Sequence, residues 1–456
     1  MGSENETSQI FKNALFLKVF QSFRMAIHPS KLIIAFMAVA TICLAGWLMD
    51  FGESVLIMRA PRSKVMVTEL DVYIINPGQF ASYLEKARRG DEGVGVFFTL
   101  WRFGSKKFHD ALTCLFAFNI TGVVTNIAEF FQAIIWAVRY HWLYCFIFFL
   151  INLIVISIAG GAICRIAALQ FAQGEKPGLF EALRFSISKF TSFFTAPLAP
   201  IGIIVFMAFF IFLLGLIGNI PIAGELLMGI FMFLALFAGG LIAVLLIGAI
   251  AGFNLMLPAV AYDGSDCFDS ISRSFSYVYA KPWRMGFYTV VAAVYGAICY
   301  IFVRFFAFLM LWITYRSLQL GVLGGNTKLT TIWQAPTFMN LVDPPDFAAA
   351  NWSETVAAIL IYLLVLAVVV LVVSYIISFY FSANTIIYSL LRKKVDNTAL
   401  EDVYTVSDEI SIEPTMIGSE PEDEEPEYAP EGEPESESET ESDSETEEDA
   451  SSSKEQ

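Results

Sequence analysis

Six stretches of this chain are long and apolar enough to cross the hydrocarbon of a bilayer, which takes roughly 20 residues of helix. They are Leu32–Met49, Trp142–Ile163, Pro197–Ile217, Leu226–Gly252, Gly286–Leu311 and Val356–Leu391. Backbone N–H and C=O groups in hydrocarbon must be paired internally, so only helices or closed barrels can span. None of the six alternates polar and apolar residues as a barrel strand would. The expectation is an all-α integral membrane protein with six transmembrane helices. Composition agrees: 56% of the 456 residues are hydrophobic and the mean hydropathy is +0.63, more than a water-facing surface can absorb.

The formal charge of −16 is local in origin. Glu401 to Gln456 holds 23 acids against one lysine, leaving 21 acids and 27 bases in the other 400 residues. A Glu/Ser/Pro run of this kind has almost nothing to bury, so residues 396–456 read as a disordered acidic tail. Such a tail could be plain solvated charge or a docking segment for a basic cytoplasmic protein.

A pattern recurs three times before the spans. Phe11, Phe180 and Phe268 are each followed by a charged residue, then by a stretch mixing aromatics, serine and bases, then by a proline at the mouth of a span: Pro29, Pro197 and Pro282. Proline suits the first turn of a helix, where its missing N–H is not needed. In the middle copy Phe180, Leu183, Ile187, Phe190 and Phe194 share one helical stripe, with Arg184 on the opposite side. Each copy is expected to be an amphipathic interfacial helix lying in the headgroup plane, its bases towards anionic lipid. Phe11, Phe180, Arg184, Phe268, Arg273, Trp283 and Arg284 are its marker residues.

The chain then divides into three parallel hairpin units, each of surface helix, span out, loop and span back. The first covers 1–165, with an outer cap at about 51–141; the second covers 166–262; the third covers 263–395, with an outer loop at about 317–351. Within the cap, helices are expected around Phe80–Arg89 and Asn126–Tyr140, the latter lying on the outer surface. Short loops on one side hold 14 of the 28 bases. That bias places both termini in the cytoplasm and the chain in a bacterial inner membrane.

Catalytic patterns are missing. The three histidines stand far apart, and no G-x-x-x-x-G-K-[ST] or G-x-S-x-G run occurs. No enzyme activity, cofactor, metal or nucleic-acid partner is expected. Ionisable residues inside spans are candidates by default because they are expensive there. Arg304 is the main case, read either as a binding group facing the bundle or as an anchor reaching the outer interface. Tyr300 and Asn254 join it as candidate lining of a cavity or lipid contact. The Gly248-to-Gly252 small-xxx-small pattern points to close helix packing.

At Leu257–Arg284, LPAVAYDGSDCFDSISRSFSYVYAKPWR, the pattern resembles the membrane domain of bacterial glycerophosphoryl diester phosphodiesterases. There a span ends at a proline, an acidic turn follows, and an Arg-Ser helix leads through Trp-Arg into the next span. The matching residues are Pro258, Asp263, Arg273-Ser274 and Trp283-Arg284. The resemblance implies a helical membrane domain, without that family's catalytic barrel or its His-Arg-Gly signature. The favoured function is a scaffold or adaptor at the inner leaflet with a docking tail; the alternative is a permease or lipid-handling protein with a cavity between the hairpins.

Overall fold

Pro29 and Pro282 each open a long helix in the computed structural model, as their missing N–H allows. Pro197 does not: it lies in the turn before a helix that begins at Ala199, with Pro200 in its first turn. The structure describes residues 15–52, 54–59, 66–87, 93–321, 327–338, 340–342 and 351–405. They belong to one compact unit ending at Thr405. Phe11 and the acidic run from 406 onward lie outside the described residues.

In chain order the helices are α1 (Ser22–Ala26), α2 (Pro29–Met49), α3 (Glu69–Ile75), α4 (Phe80–Ala87), α5 (Val96–Phe116), α6 (Ile120–Tyr140) and α7 (Trp142–Ala172). There follow α8 (Leu179–Ser188), α9 (Phe190–Thr195), α10 (Ala199–Ile217), α11 (Ala223–Asp263), α12 (Cys267–Ala280), α13 (Pro282–Gly321), α14 (Thr327–Ile332) and α15 (Trp352–Val395). Seven of the described helices (α2, α6, α7, α10, α11, α13 and α15) are long and apolar enough to cross a membrane. The chain is therefore a multi-pass helical membrane protein.

The seventh is α6, one turn and a half longer than the sequence suggested. It pairs with α5 as a hairpin, and Ala133, Trp136 and Ala137 in its second half are buried in the core of the cap. That core also takes in Val55, Leu70, Phe80, Val96 and Tyr144. Among the described residues the cap departs from an all-helical reading: strands β1 (Ser54–Arg59), β2 (Met66–Thr68) and β3 (Gly93–Gly95) form an antiparallel sheet in the order β2-β1-β3. Val55 and Ile57, two β-branched residues at alternate positions, are its buried pair.

The bundle is built around α15, which packs against α2, α7, α11 and α13. At 44 residues α15 is ~66 Å long, about twice the hydrocarbon thickness. Its second half is the densest part of the protein, with Ile386, Tyr388, Leu390 and Leu391 fully buried. The α10–α11 hairpin stands outermost. Phe206, Phe210, Phe233 and Phe237 are exposed, and the two helices are apolar on every side, an arrangement for lipid rather than water. From Leu255 to Tyr262 every residue of α11 is buried. The helix continues past Pro258 to Asp263, so the span does not end at that proline.

The surface helices use two faces. In α8, Ala182, Phe185 and Ser186 face the bundle, while Phe180 and Ile187 of the apolar stripe point away from it. The Ser186 hydroxyl donates to the carbonyls of Ser157 (3.1 Å) and Ile158 (2.7 Å) in α7. In α12, Ser270 donates to the Met256 carbonyl of α11 at 2.7 Å. Small serines let the surface helix lie directly on the span before it. Gly248 and Gly252 answer to Phe275 and Ser274 of α12, so that glycine pair packs a surface helix. The stripe drawn through Phe190 and Phe194 is not one helix, because the chain breaks at Lys189 between α8 and α9.

Candidate cavity and basal clamp

Asn254 and Tyr300 are 46 residues apart in sequence and line one cavity of about 320 Å³ between α11, α13 and α15. That volume is at the lower end for small-molecule sites. α11 and α13 both pack against α15 but make few contacts with one another. Small residues on α13 keep it open: Ala292, Ala293, Gly296 and Ala297 form one wall. Phe108 and Leu112 of the cap helix α5 close one end.

The polar groups of the lining are all uncharged. Tyr380 donates to the Asn254 side-chain oxygen at 2.5 Å, and the Asn384 amide nitrogen donates to the Tyr380 carbonyl at 3.0 Å. Pro258, one turn beyond Asn254, has no N–H to offer the Asn254 carbonyl, so that acceptor loses its helical partner. Tyr375 is 3% exposed, and its hydroxyl is closed off from the cavity against the Cys299 thiol.

Arg304 is buried but does not line the cavity. Its Nε donates to the Phe338 carbonyl (3.0 Å), its guanidinium stacks on the Phe338 ring (5.6 Å), and Nη1 donates to the Tyr300 hydroxyl (2.9 Å). Tyr300 in turn donates to His109 Nε2 at 3.1 Å, and His109 Nδ1 donates to the Ser105 carbonyl at 2.6 Å. These bonds fix one tautomer and one direction along the chain Arg304, Tyr300, His109. Burial first, and then the Arg304 charge, lower the His109 pKa below its ordinary value, so the ring is neutral at pH 7. Arg304 is thus a positioning residue for Tyr300.

Another cluster of charge lies where α11 ends. Asp263, at the end of α11, pairs with Arg392 of α15 (3.1 Å) and Arg273 of α12 (3.5 Å), and accepts a hydrogen bond from Tyr388. Arg392 also binds Asp402, through its carbonyl (2.6 Å) and its carboxylate (3.1 Å). Tyr277 donates to Asp396 and Tyr262 to the Leu400 carbonyl. Residues 396–405, expected to belong to a disordered tail, therefore form a strap laid across the ends of the helices. Leu400 and Val403 are buried there, and Tyr404 lies beneath Arg165 and Lys189.

A third polar site is Lys31, fully buried in the first turn of α2. Its ammonium donates to Gln170 of α7 (2.9 Å) and Ser382 of α15 (3.2 Å), joining three spans without a carboxylate.

Of the interfacial markers, Phe180, Phe268 and Trp283 are 84%, 69% and 90% exposed and stand clear of both the cavity and the clamp, free to enter a headgroup layer. Arg184 and Arg284 are also exposed. Arg273 is drawn into the clamp instead. Although burial opposes its charge, Asp263 and Asp269 raise its pKa above the ordinary arginine value. Among the described residues no group of three His, Cys, Asp or Glu is placed to hold a metal. No protein-family model matches the chain, nor does any curated protein or solved structure.

Proposed function

We propose that this chain is a lipid-handling membrane protein that holds an amphiphile between α11, α13 and α15. One observation carries the reading: Asn254 and Tyr300, from different spans, line the same mostly apolar cavity. Polar groups scattered into separate helix contacts would have favoured a purely structural protein. In this reading the ligand enters between α11 and α13, which make few contacts with one another. In this reading six helices span, as three parallel hairpins footed by surface helices. α6 stays with the cap because its buried residues belong to the cap core. Both termini lie on the cytoplasmic side, where exposed bases such as Arg184 and Arg284 meet anionic headgroups.

The test is mass spectrometry of lipids retained by the full chain after purification in mild detergent. Ala293, on the exposed side of the cavity wall, is the site for filling it. Wild type should retain a stoichiometric amphiphile and Ala293→Phe should lose it. Equal retention by both proteins would overturn the reading.

A scaffold or adaptor role is a second reading, favoured by the strap. It anchors Leu400 and Asp402 to the bundle next to the acidic run in sequence, which suits a docking tail for a basic partner. Truncation after Thr405 would then abolish capture of that partner and leave lipid retention unchanged.

A further inference from the structure

We infer that the α5–α6 hairpin is a re-entrant part of the membrane domain, with its tip and the free face of α6 immersed in the acyl chains of the bilayer. The inference stands on the hairpin alone and adds a lipid-binding surface to the six spans.

Three observations lead to it. First, α6 buries Ala133, Trp136 and Ala137 in the cap core, and its other side carries an unbroken apolar stripe. Ile120, Val124, Ile127, Phe131, Ile135 and Val138 recur every three or four residues, and all are exposed. The exposed polar residues of α6, Thr121, Thr125, Gln132 and Arg139, fall to one side of that stripe. An apolar face of this length is not left to water. The turn agrees with it: Phe118 is 92% exposed at φ +53, where a turn in water favours Asn or Gly.

Second, the contact with α13 sets the depth. Phe108 packs edge-on against Tyr300, with 5.4 Å between ring centres, and His109 accepts the Tyr300 hydroxyl. Tyr300 stands sixteen residues from the exposed Arg284 and sixteen from the exposed Arg316, so about 24 Å of helix separates it from each. Exposed apolar residues flank the contact on both sides: Val290, Val294 and Ile298 before it, Phe306, Met310 and Ile313 after it. The hairpin therefore meets α13 within the apolar belt of that span and not beyond its end. What covers the belt covers the hairpin, and in a multi-pass helical protein that is hydrocarbon.

Third, charge is kept away from the tip. Residues 111–128 hold no Asp, Glu, Lys, Arg or His. Lys107 and Glu129, on either side of that stretch, pair with each other across the hairpin. Helical side chains lean towards the N-terminus, which in α5 is the cap end. The exposed Arg102 and Lys106 thus reach back towards the headgroups along their apolar stems. Phe108 and Leu112, which close one end of the cavity, then belong to an element set inside the bilayer and not to a water-facing cap.

The experiment uses the full chain in phosphatidylcholine vesicles, with the fluorescent residue dansylalanine in place of Phe131. The same residue in place of Ser82, exposed on α4 of the cap, is the water-facing control. Two quenchers are compared: iodide in the aqueous phase and phosphatidylcholine brominated along its acyl chains. At Phe131 the emission should be blue-shifted, lost to brominated lipid and indifferent to iodide. At Ser82 only iodide should act.

Iodide quenching at Phe131 to the extent seen at Ser82 would overturn the inference and return the hairpin to water. Quenching by neither agent would overturn it as well, because the stripe would then be covered by protein, such as a second copy of the chain. Should the Phe131 replacement fail to fold, dansylalanine in place of Val124, on the same stripe, decides the question. Neither readout depends on a ligand in the cavity, so the cavity reading stands or falls separately.

Discussion

Arg392, in the last turn of α15, holds its Nε 3.1 Å from the carboxylate of Asp263, the last residue of α11. The two helices on either side of the cavity are therefore tied at one end by a buried ion pair, and Asp402 of the strap completes the guanidinium's shell. Removing one partner of a buried pair strands the other's charge.

Asp263→Ala should therefore destabilise the protein by about 3 kcal/mol. Arg273→Ala, whose side chain is 37% exposed, should cost no more than about 1 kcal/mol. Unfolding of the detergent-solubilised variants in a graded denaturant checks the contrast.

Gly264 sits at φ +64, and a Cβ there would come 2.5 Å from the Tyr404 ring. Gly264→Ala should cost about 1–2 kcal/mol for the left-handed backbone and lift the strap as well. Hydrogen exchange at residues 400–405, where Tyr404 N–H bonds the Tyr262 carbonyl at 3.0 Å, should rise sharply while α15 stays protected.

Lys31 is held only by neutral acceptors, Gln170 and Ser382. Lys31→Met should be tolerated to within about 1 kcal/mol, since a long apolar chain can replace a buried charge with little loss. Gln170→Leu should cost more, about 2 kcal/mol, because it leaves the ammonium short of an acceptor. Thermal unfolding of both variants gives the order.

The lowered pKa of His109 predicts acid sensitivity. The folded state takes up this proton less readily than the unfolded chain, so its contribution to stability is present above pH 6.5 and is lost as pH falls below it. Protonation would place an N–H on Nε2, where Tyr300 now donates, and next to Arg304; the Asp110 carboxylate offsets this in part. Between pH 7.5 and 5.5 wild type should lose more thermal stability than His109→Gln, which carries no titrating group there.

What the sequence made legible follows from how far apart in the chain each interaction reaches. Span positions came from run length alone, and Arg304 stood out because charge in an apolar run is expensive. The helix ends were missed: α11 and α15 continue beyond their apolar blocks as buried helix, through Pro258 in one case. The clamp joins residues 129 positions apart and Lys31 bonds across 351, beyond any periodicity. The strap was hidden by its acidic neighbours, although Leu400, Val403 and Tyr404 are a local signal of packing. Tyr380 passed as an ordinary span aromatic, since nothing local marks its bond to Asn254 on another helix. The cap sheet was missed because two of its three strands have only three residues.

The most direct test is photo-cross-linking of the full chain in bilayers with an acylglycerol bearing a diazirine in its chain, followed by peptide mapping. If the cavity holds an amphiphile, labels should concentrate on its lining, at Ala293, Gly296, Ile376 and Ile387, and vanish there in Ala293→Phe. Labels spread only over outward faces such as Phe206, Phe233 and Phe302, unchanged in the variant, would contradict the account.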